Sequence, residues 1–314
     1  MAKLIVIGEA LIDFIPCQKG SLAQTISFEK CPGGAPANVG AAASKFGVIS
    51  MLITKLGKDG FGDFLAAEIQ KAGIDGRAVL RTDEANTGLA FVSDSDNADV
   101  EYLFYRSPSA DMLLCPEDIC EDWFEPGDIL HFCSVSLVDA PCRSAHDRAV
   151  EIARAKGCTI SFDVNLRPPL WKDISELKEI VLRYIPKADI VKVNDEELAF
   201  LGEIQAPHML VTLGKDGARY LGNDLDVCID GFDVPVVNTT GAGDTFIGTF
   251  LAHCIQEPDF LKNETQCTDV LRICNAAAAI MVGRQGALGV MPSKAEVQEF
   301  LNAHKEVNNE TFTN

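Results

Sequence analysis

The chain has 314 residues, with 27 Lys and Arg against 46 Asp and Glu, a formal net charge of −19. Its 47% hydrophobic and 23% charged content is that of a globular protein, which excludes a mostly disordered chain, and its length can bury a large core without staples. A field of this sign repels nucleic acid and anionic lipid, so neither is an expected partner, and an anionic substrate needs a local basic patch and metal ions to approach.

The opening stretch MAKLIVIGEA turns polar too soon for a signal peptide. No apolar run nears the roughly 18 residues of a membrane helix. The eleven Cys never form a CxxC pair, which reads as reduced, mostly buried thiols in a cytoplasmic protein. Without secretion, the N-x-T triplets at Asn238, Asn263 and Asn309 are chance matches.

Residues 3–8 (KLIVIG) form a continuous apolar run ending in Gly, the pattern of a parallel strand buried on both faces. Similar runs stand at 50–54, 128–133, 159–163, 189–193 and 209–213. Helical spacing of apolar positions marks 61–72, closed by Gly73, as well as 140–156, closed by Gly157, and 175–185. Strand and helix alternating in this way predict an α/β fold with a mostly parallel sheet covered by helices on both faces. Ligands in such sheets sit beyond the carboxyl ends of the strands. Residues 10–28 and 87–105 break the rhythm, with TGLAFVS and VEYLFY joined by the polar turn DSDNAD. They predict a small added antiparallel sheet, either plain surface hairpins or a lid that excludes water. The repeated LGKDG at 56–60 and 213–217 is a strand-to-turn signal, and the polar tail from Glu306 is expected to fray.

The strongest chemical signal is NTTGAGD, residues 238–244, running into an apolar helix. Bare amides of Gly241, Ala242 and Gly243 at a helix start form an anion cradle, and the dipole there favours an ionised Asp244. An anion hole beside a base is what phosphoryl transfer to an alcohol requires. The plain alternative is an acidic first turn after a tight turn. The spacing fits neither a P-loop nor a dinucleotide fingerprint. A second Gly pair, Gly33 and Gly34, leads into a small-residue helix carrying Asn38 (GGAPAN). It allows close approach of a ligand, or merely tight helix packing. Asp13 follows the first strand and Arg106 stands in YRSPSADM. Asp163, Asn165 and Arg167 (FDVNLRP) follow another strand. Asn194 and Glu197 (KVNDEE) read either as a helix N-cap or as holders of a hydrated Mg²⁺. Thr212, Gly214 and Gly217 (VTLGKDG) end a further strand.

Together these residues resemble the PfkB, or ribokinase-like, carbohydrate kinase family over about residues 3 to 303, with GGAPAN and NTTGAGD matching its two signatures. GEALIDF, YRSPSADM and FDVNLRPPLW are most similar to its fructokinase branch. The resemblance implies a single three-layer ribokinase-like domain over 1–314, with a lid from about 10–30 and 86–108. It implies ATP-dependent phosphorylation of the 6-hydroxyl of D-fructose. Asp244 would be the base and Gly241, Ala242 and Gly243 the anion hole. Asp13, Gly33, Gly34 and Asn38 would hold the sugar, with Arg106 closing over it from the lid. Arg167 and Lys192 would face phosphates, Asn194 and Glu197 would organise Mg²⁺ through water, and Thr212, Gly214, Gly217 and Asn275 would line the nucleotide pocket. Many members bind K⁺ through backbone oxygens, here near Asn238, Thr240, Arg284 and Gly286. The family usually has Asp where Asn238 stands, which puts the strength of K⁺ activation in question. Lid strands often mediate dimers, so a homodimer is expected. The alternatives are a 2-keto-3-deoxygluconate kinase or another sugar kinase of the family, and a sugar-binding homologue without activity.

Overall fold

The first apolar run becomes β1 (Leu4–Ile7), with all four residues buried. Leu4 and Val6 enter one hydrophobic core and Ile5 and Ile7 the other, as the two-residue pleat requires of a strand covered on both faces. The structure, a computed structural model, describes residues 2–93 and 102–310, without the side chains of 305–310. The turn DSDNAD and the end of the polar tail lie outside the described residues.

The chain continues through β2 (Leu11–Pro16), β3 (Phe28–Gly33), α1 (Ala35–Lys45), β4 (Ser50–Gly57), α2 (Gly60–Lys71), β5 (Ile74–Asp75), β6 (Val79–Thr82), β7 (Leu89–Val92) and β8 (Tyr102–Tyr105). There follow β9 (Ile129–Cys133), α3 (Pro141–Lys156), β10 (Thr159–Asp163), α4 (Ile174–Tyr184), β11 (Ile190–Asn194), α5 (Asp195–Leu201) and β12 (His208–Thr212). The last third holds β13 (Ala218–Gly222), β14 (Leu225–Ile229), α6 (Ala242–Gln256), α7 (Glu264–Val282) and α8 (Lys294–Glu310).

The main sheet has the order β14-β13-β12-β11-β10-β9-β1-β4-β5, with β6 beside β4. Its strands pair in parallel from β12 to β5, and β13 and β14 extend it antiparallel. A separate four-stranded sheet has the order β3-β2-β7-β8. Two antiparallel pairs, β2 with β3 and β7 with β8, are joined in it by a parallel pairing of β2 with β7. Asp59 fastens α2 to the root of this sheet, since its carboxylate accepts from the amides of Phe61, Gly62 and Thr87. That carboxylate is lowered below its ordinary range as a result: the amide bonds, led by Thr87, outweigh the burial that opposes them.

Small residues place α1 against α6. A Cβ at Gly248 would lie 2.6 Å from the Val39 carbonyl oxygen, so only glycine lets the two helices approach this closely. All eleven Cys are free; six are buried, as expected of most of them, and Cys17, Cys120 and Cys228 are exposed. Among the described residues no helix is long and apolar enough to cross a membrane.

Candidate active site

Two connected clefts open at the carboxyl ends of the parallel strands. The smaller is lined by Glu9, Asp13, Gly34, Asn38 and Val135, among others. The larger is lined by Lys192, Asn194, Glu197, Thr212, Gly214, Gly217, Ala242, Gly243 and Asn275, among others. Tyr102, Asn165, Arg167, Thr240, Gly241 and Asp244 line both. Asp244 therefore stands at their junction.

The start of α6 explains how. Gly241 takes φ +79° and serves as the helix N-cap, a conformation that favours glycine. It opens the first turn of α6 and puts Asp244 in that turn, with the Ala242 amide donating to the Thr239 carbonyl at 3.3 Å. Asp244 is 8% exposed, and its Oδ2 accepts from Asn38 Nδ2 at 2.9 Å, across 206 residues of sequence. Burial pushes its carboxyl above the ordinary range, while the Asn38 bond, Lys192 and Arg167 pull against it. The other side-chain atom of Asn38, Oδ1, is buried with no hydrogen-bond partner. A buried acceptor left bare beside a cleft is a costly feature unless a ligand satisfies it.

Lys192 is paired in register with Asp163 on the neighbouring strand, its Nζ donating to both carboxylate oxygens at 2.9 and 3.0 Å. Burial raises Asp163 to about 6 against the pull of Lys192. The ammonium lies under the α6 start, 3.1 Å from where a Cβ on Gly243 would sit. Arg167 Nη1 donates to the Leu166 carbonyl, and its guanidinium lies 5.7 Å from the Tyr102 ring centre. Glu197 closes a capping box on α5: its Oε2 accepts from the Asn194 amide and Asn194 Oδ1 accepts from the Glu197 amide. Its Oε1 accepts from the Leu166 amide. The N-cap reading is thus what the local geometry contains, on residues that also face the larger cleft. Asn275 donates to the Asp230 carbonyl at 3.2 Å.

Several expected residues sit elsewhere. Arg106 lines neither cleft. It is 4% exposed, ion-paired with Asp111, and donates to the Val135 carbonyl, so it lies behind the cleft wall and not over the cleft, where the resemblance put it. Gly33 is in β3, and a Cβ there would overlap the Asp13 carboxylate; it acts on the cleft through Asp13. Asn238 spends its side chain on the Thr240 amide at 2.8 Å. Arg284 is paired with Glu296 and donates to the Val290 carbonyl, and neither it nor Gly286 lines a cleft.

Glu9 was not among the residues expected from sequence, nor were Tyr102 and Phe104. Glu9 accepts from the Ala35 amide at 3.0 Å and from Ser136 Oγ at 2.6 Å. Burial raises its carboxyl, with Arg106 opposing. Its position just past the first strand was the available signal. For Tyr102 and Phe104 the signal was the strand alternation, which leaves Leu103 and Tyr105 outward.

The profile of the pfkB family of carbohydrate kinases matches residues 1–294. The probable fructokinase-2 of Arabidopsis thaliana is 39% identical, covering 95% of each chain. Fructokinase-1 of Zea mays is 39% identical over 94% of this chain and 96% of its own. Among solved structures, the fructokinase of Xylella fastidiosa with bound ATP superposes with a TM-score of 0.87 at 31% identity, covering 97% of this chain and 100% of that one. The fructokinase of Vibrio cholerae O395 with fructose, ADP and calcium gives 0.85 at 31% identity, over 96% and 99%. The chain, with its ribokinase-like fold, belongs to the pfkB family of carbohydrate kinases and is a sugar kinase.

Proposed function

We propose that the protein phosphorylates the 6-hydroxyl of D-fructose with ATP, giving D-fructose 6-phosphate. The observation that carries this is Asp244: a buried carboxylate at the junction of two clefts, in the first turn of a helix. The smaller cleft takes the sugar. Asn38 offers its unpartnered Oδ1 to a sugar hydroxyl, Asp13 accepts from another, and Asp244 takes the proton of the attacking 6-hydroxyl. The amides of Gly241 and Gly243 face the charge that develops on the transferred group, where preorganised donors act most strongly; that of Ala242, which donates to the Thr239 carbonyl at 3.3 Å, joins them by sharing its proton. Lys192 and Arg167 face the nucleotide phosphates, and Thr212, Gly214, Gly217 and Asn275 wall the nucleotide cleft. Tyr102 and Phe104, from the small sheet, cover the sugar and keep water from the phosphoryl group. Strands within 10–30 and 86–108 thus serve as a lid on one domain spanning 1–314, and their outer face is the surface proposed for a homodimer.

Fructokinases of Vibrio cholerae hold fructose and ADP with calcium in one structure and with potassium in another, which supports the substrates and a role for metal ions. Glu197 and Asn194 fit a hydrated Mg²⁺: each Glu197 oxygen accepts one amide and keeps a lone pair for a metal-bound water. Mg²⁺ there would neutralise phosphate charge. A K⁺ site is proposed from backbone oxygens near Asn238, Thr240, Arg284 and Gly286. The amides of Val237 and Asn238 both donate to the Val282 carbonyl, which brings these two loops together.

The cleft favours a neutral acceptor. Glu9, Asp13 and Asp244 line it against the single guanidinium of Arg167, so a sugar carboxylate meets net repulsion. In a coupled ADP-release assay, fructose is expected to give a higher kcat/KM than glucose, ribose or 2-keto-3-deoxygluconate. A preference for the acid sugar would overturn the assignment. Calorimetric sugar binding with no ATP consumption would point to a sensor instead.

The pH profile follows from the same charges. Burial raises Asp13 to about 7, with Arg167 opposing and Asp244 and Glu9 adding to the rise. Asp244 must be ionised to accept the proton, and its carboxyl is raised too. Asp13 takes up its proton as the pH falls through about 7 and Asp244 does so above the ordinary carboxylate range, so activity is expected to be lost on the acid side at a higher pH than an exposed carboxylate would set. Asp13→Asn removes one neighbouring negative charge, so the acid limb of kcat/KM is expected to move to lower pH while the fructose KM rises. An acid limb that stays in place would refute the coupling.

A further inference from the structure

The tail of the lid carries a guanidinium that the strand aims at the sugar cleft but the fold withholds from it. In β8, Tyr102 and Phe104 line the smaller cleft while Leu103 and Tyr105 are exposed. Side chains two apart share a face, so Arg106, one pleat further on, points to the same side. It stops just behind the wall. Its Nη1 donates at 3.3 Å to the carbonyl of Val135, itself a lining residue. Its Nε and Nη2 both engage Asp111 Oδ2. Asp111 is buried and has its other oxygen on the Ser109 hydroxyl. The root of β7 covers the pair, since a Cβ on Gly88 would lie 3.1 Å from Asp111 Oδ1 and 3.3 Å from Arg106 Cγ. Glu9 faces the same guanidinium electrostatically from the cleft side.

We infer that Asp111 is a specificity-determining residue: by holding Arg106 in a buried ion pair behind the Val135 wall, it denies the sugar cleft a carboxylate receptor and leaves it selective for neutral ketoses. The inference rests on the kinase reading above and concerns the acceptor alone. One positive group, Arg106, stands between two negative ones, Glu9 and Asp111, so the back of the cleft carries net negative charge when both acids are ionised. A free guanidinium there would be the planar fork that suits a sugar carboxylate. Here each of its three nitrogens is engaged, Nε and Nη2 by Asp111 and Nη1 by the Val135 carbonyl, and its charge is offset. Asp111 touches no substrate in this arrangement; it acts through Arg106 and is a positioning residue.

The test is the ratio of kcat/KM for 2-keto-3-deoxygluconate to that for fructose, measured on the full chain. Asp111→Asn keeps the shape of the side chain and removes its charge. The ratio is expected to rise tenfold or more, driven by a lower KM for the acid sugar, and the rise should shrink as salt is added. The charge-conserving Asp111→Glu should keep the wild-type ranking. The double variant Arg106→Gln with Asp111→Asn should lose the gain, because the receptor has gone. A folded Asp111→Asn protein with an unchanged ratio, or a gain that persists in the double variant, overturns the inference. If Asp111→Asn does not fold, Glu9→Gln decides. It leaves the Asp111 pair intact and removes the other facing carboxylate, so the ratio must rise; an unchanged or lower ratio is again fatal. A wild-type enzyme that prefers the acid sugar would instead sink the fructose assignment, a result read before any variant is made.

Discussion

Asp244→Asn is expected to lower kcat by about a thousandfold or more while leaving fructose and ATP binding close to wild type. The substitution is nearly isosteric, and an amide oxygen at that position can still accept from Asn38 Nδ2, now 2.9 Å from Oδ2. The first turn of α6 should therefore persist, with its N-cap Gly241. What goes is the proton acceptor and the charge that steadies the hydroxyl as it attacks. The stability change should run the other way. Burial raises the Asp244 carboxyl in the folded state, so its ionised form is disfavoured there relative to the unfolded chain, and above the unfolded value that cost falls on the fold. A neutral side chain removes it. The variant should melt at or above the wild-type temperature at neutral pH, a loss of activity without loss of fold. Calorimetric titration, a thermal melt and turnover on one preparation check all three. Near-normal turnover would remove Asp244 from the role of base. A large fall in melting temperature would mean that the residue is mainly structural.

What could be read before the structure divides along a physical line. Strands buried on both faces show as apolar runs, so β1, β4, β9, β10, β11 and β12 were legible within a residue or two, except that β4 runs on to Gly57. The hairpin of β13 and β14 was not, because its strands alternate exposed and buried residues over only five positions each and carry charge. The Gly turn that opens α6 was legible because the Gly spacing and the following apolar helix are local. The Asn38–Asp244 hydrogen bond was not, because it depends on how closely α1 and α6 pack, which Gly248 decides. The burial of Arg106 was not legible for a similar reason. A lone base in a lid segment reads as free until the fold buries it against Asp111 and the Val135 carbonyl. Glu9 looked like the polar end of an apolar run; only the tertiary fold brings Ala35, Ser136 and Arg106 around it.

Gly34→Ala and Gly33→Ala should differ sharply, although the two are adjacent. Gly34 takes φ +112°, outside the range an L side chain adopts readily. A Cβ there would overlap the Glu9 carbonyl oxygen and lie 2.8 Å from Ala10 Cα. Both neighbours are backbone, in the link from β1 to β2, so nothing nearby can swing aside. Gly34 is also the N-cap of α1, and its carbonyl accepts from the Asn38 amide at 2.9 Å. Relief of the overlap must then shift the first turn of α1 and carry Asn38 away from Asp244. A loss of about 3 kcal/mol or more in stability is expected, with a fall of about a hundredfold or more in kcat/KM for fructose. At Gly33 the backbone is ordinary and the obstacle is the Asp13 carboxylate, with Cγ 2.7 Å from the new Cβ. That is the end of a side chain, and it can rotate. Gly33→Ala should keep the fold within about 1 kcal/mol, raise the fructose KM by turning Asp13 out of the cleft, and change kcat less. The pair is checked by melts and by steady-state kinetics at fixed ATP. A Gly34→Ala protein with wild-type stability and wild-type kcat/KM would show that α1 is not anchored through this contact. A Gly33→Ala protein with an unchanged fructose KM would remove Asp13 from the grip on the sugar.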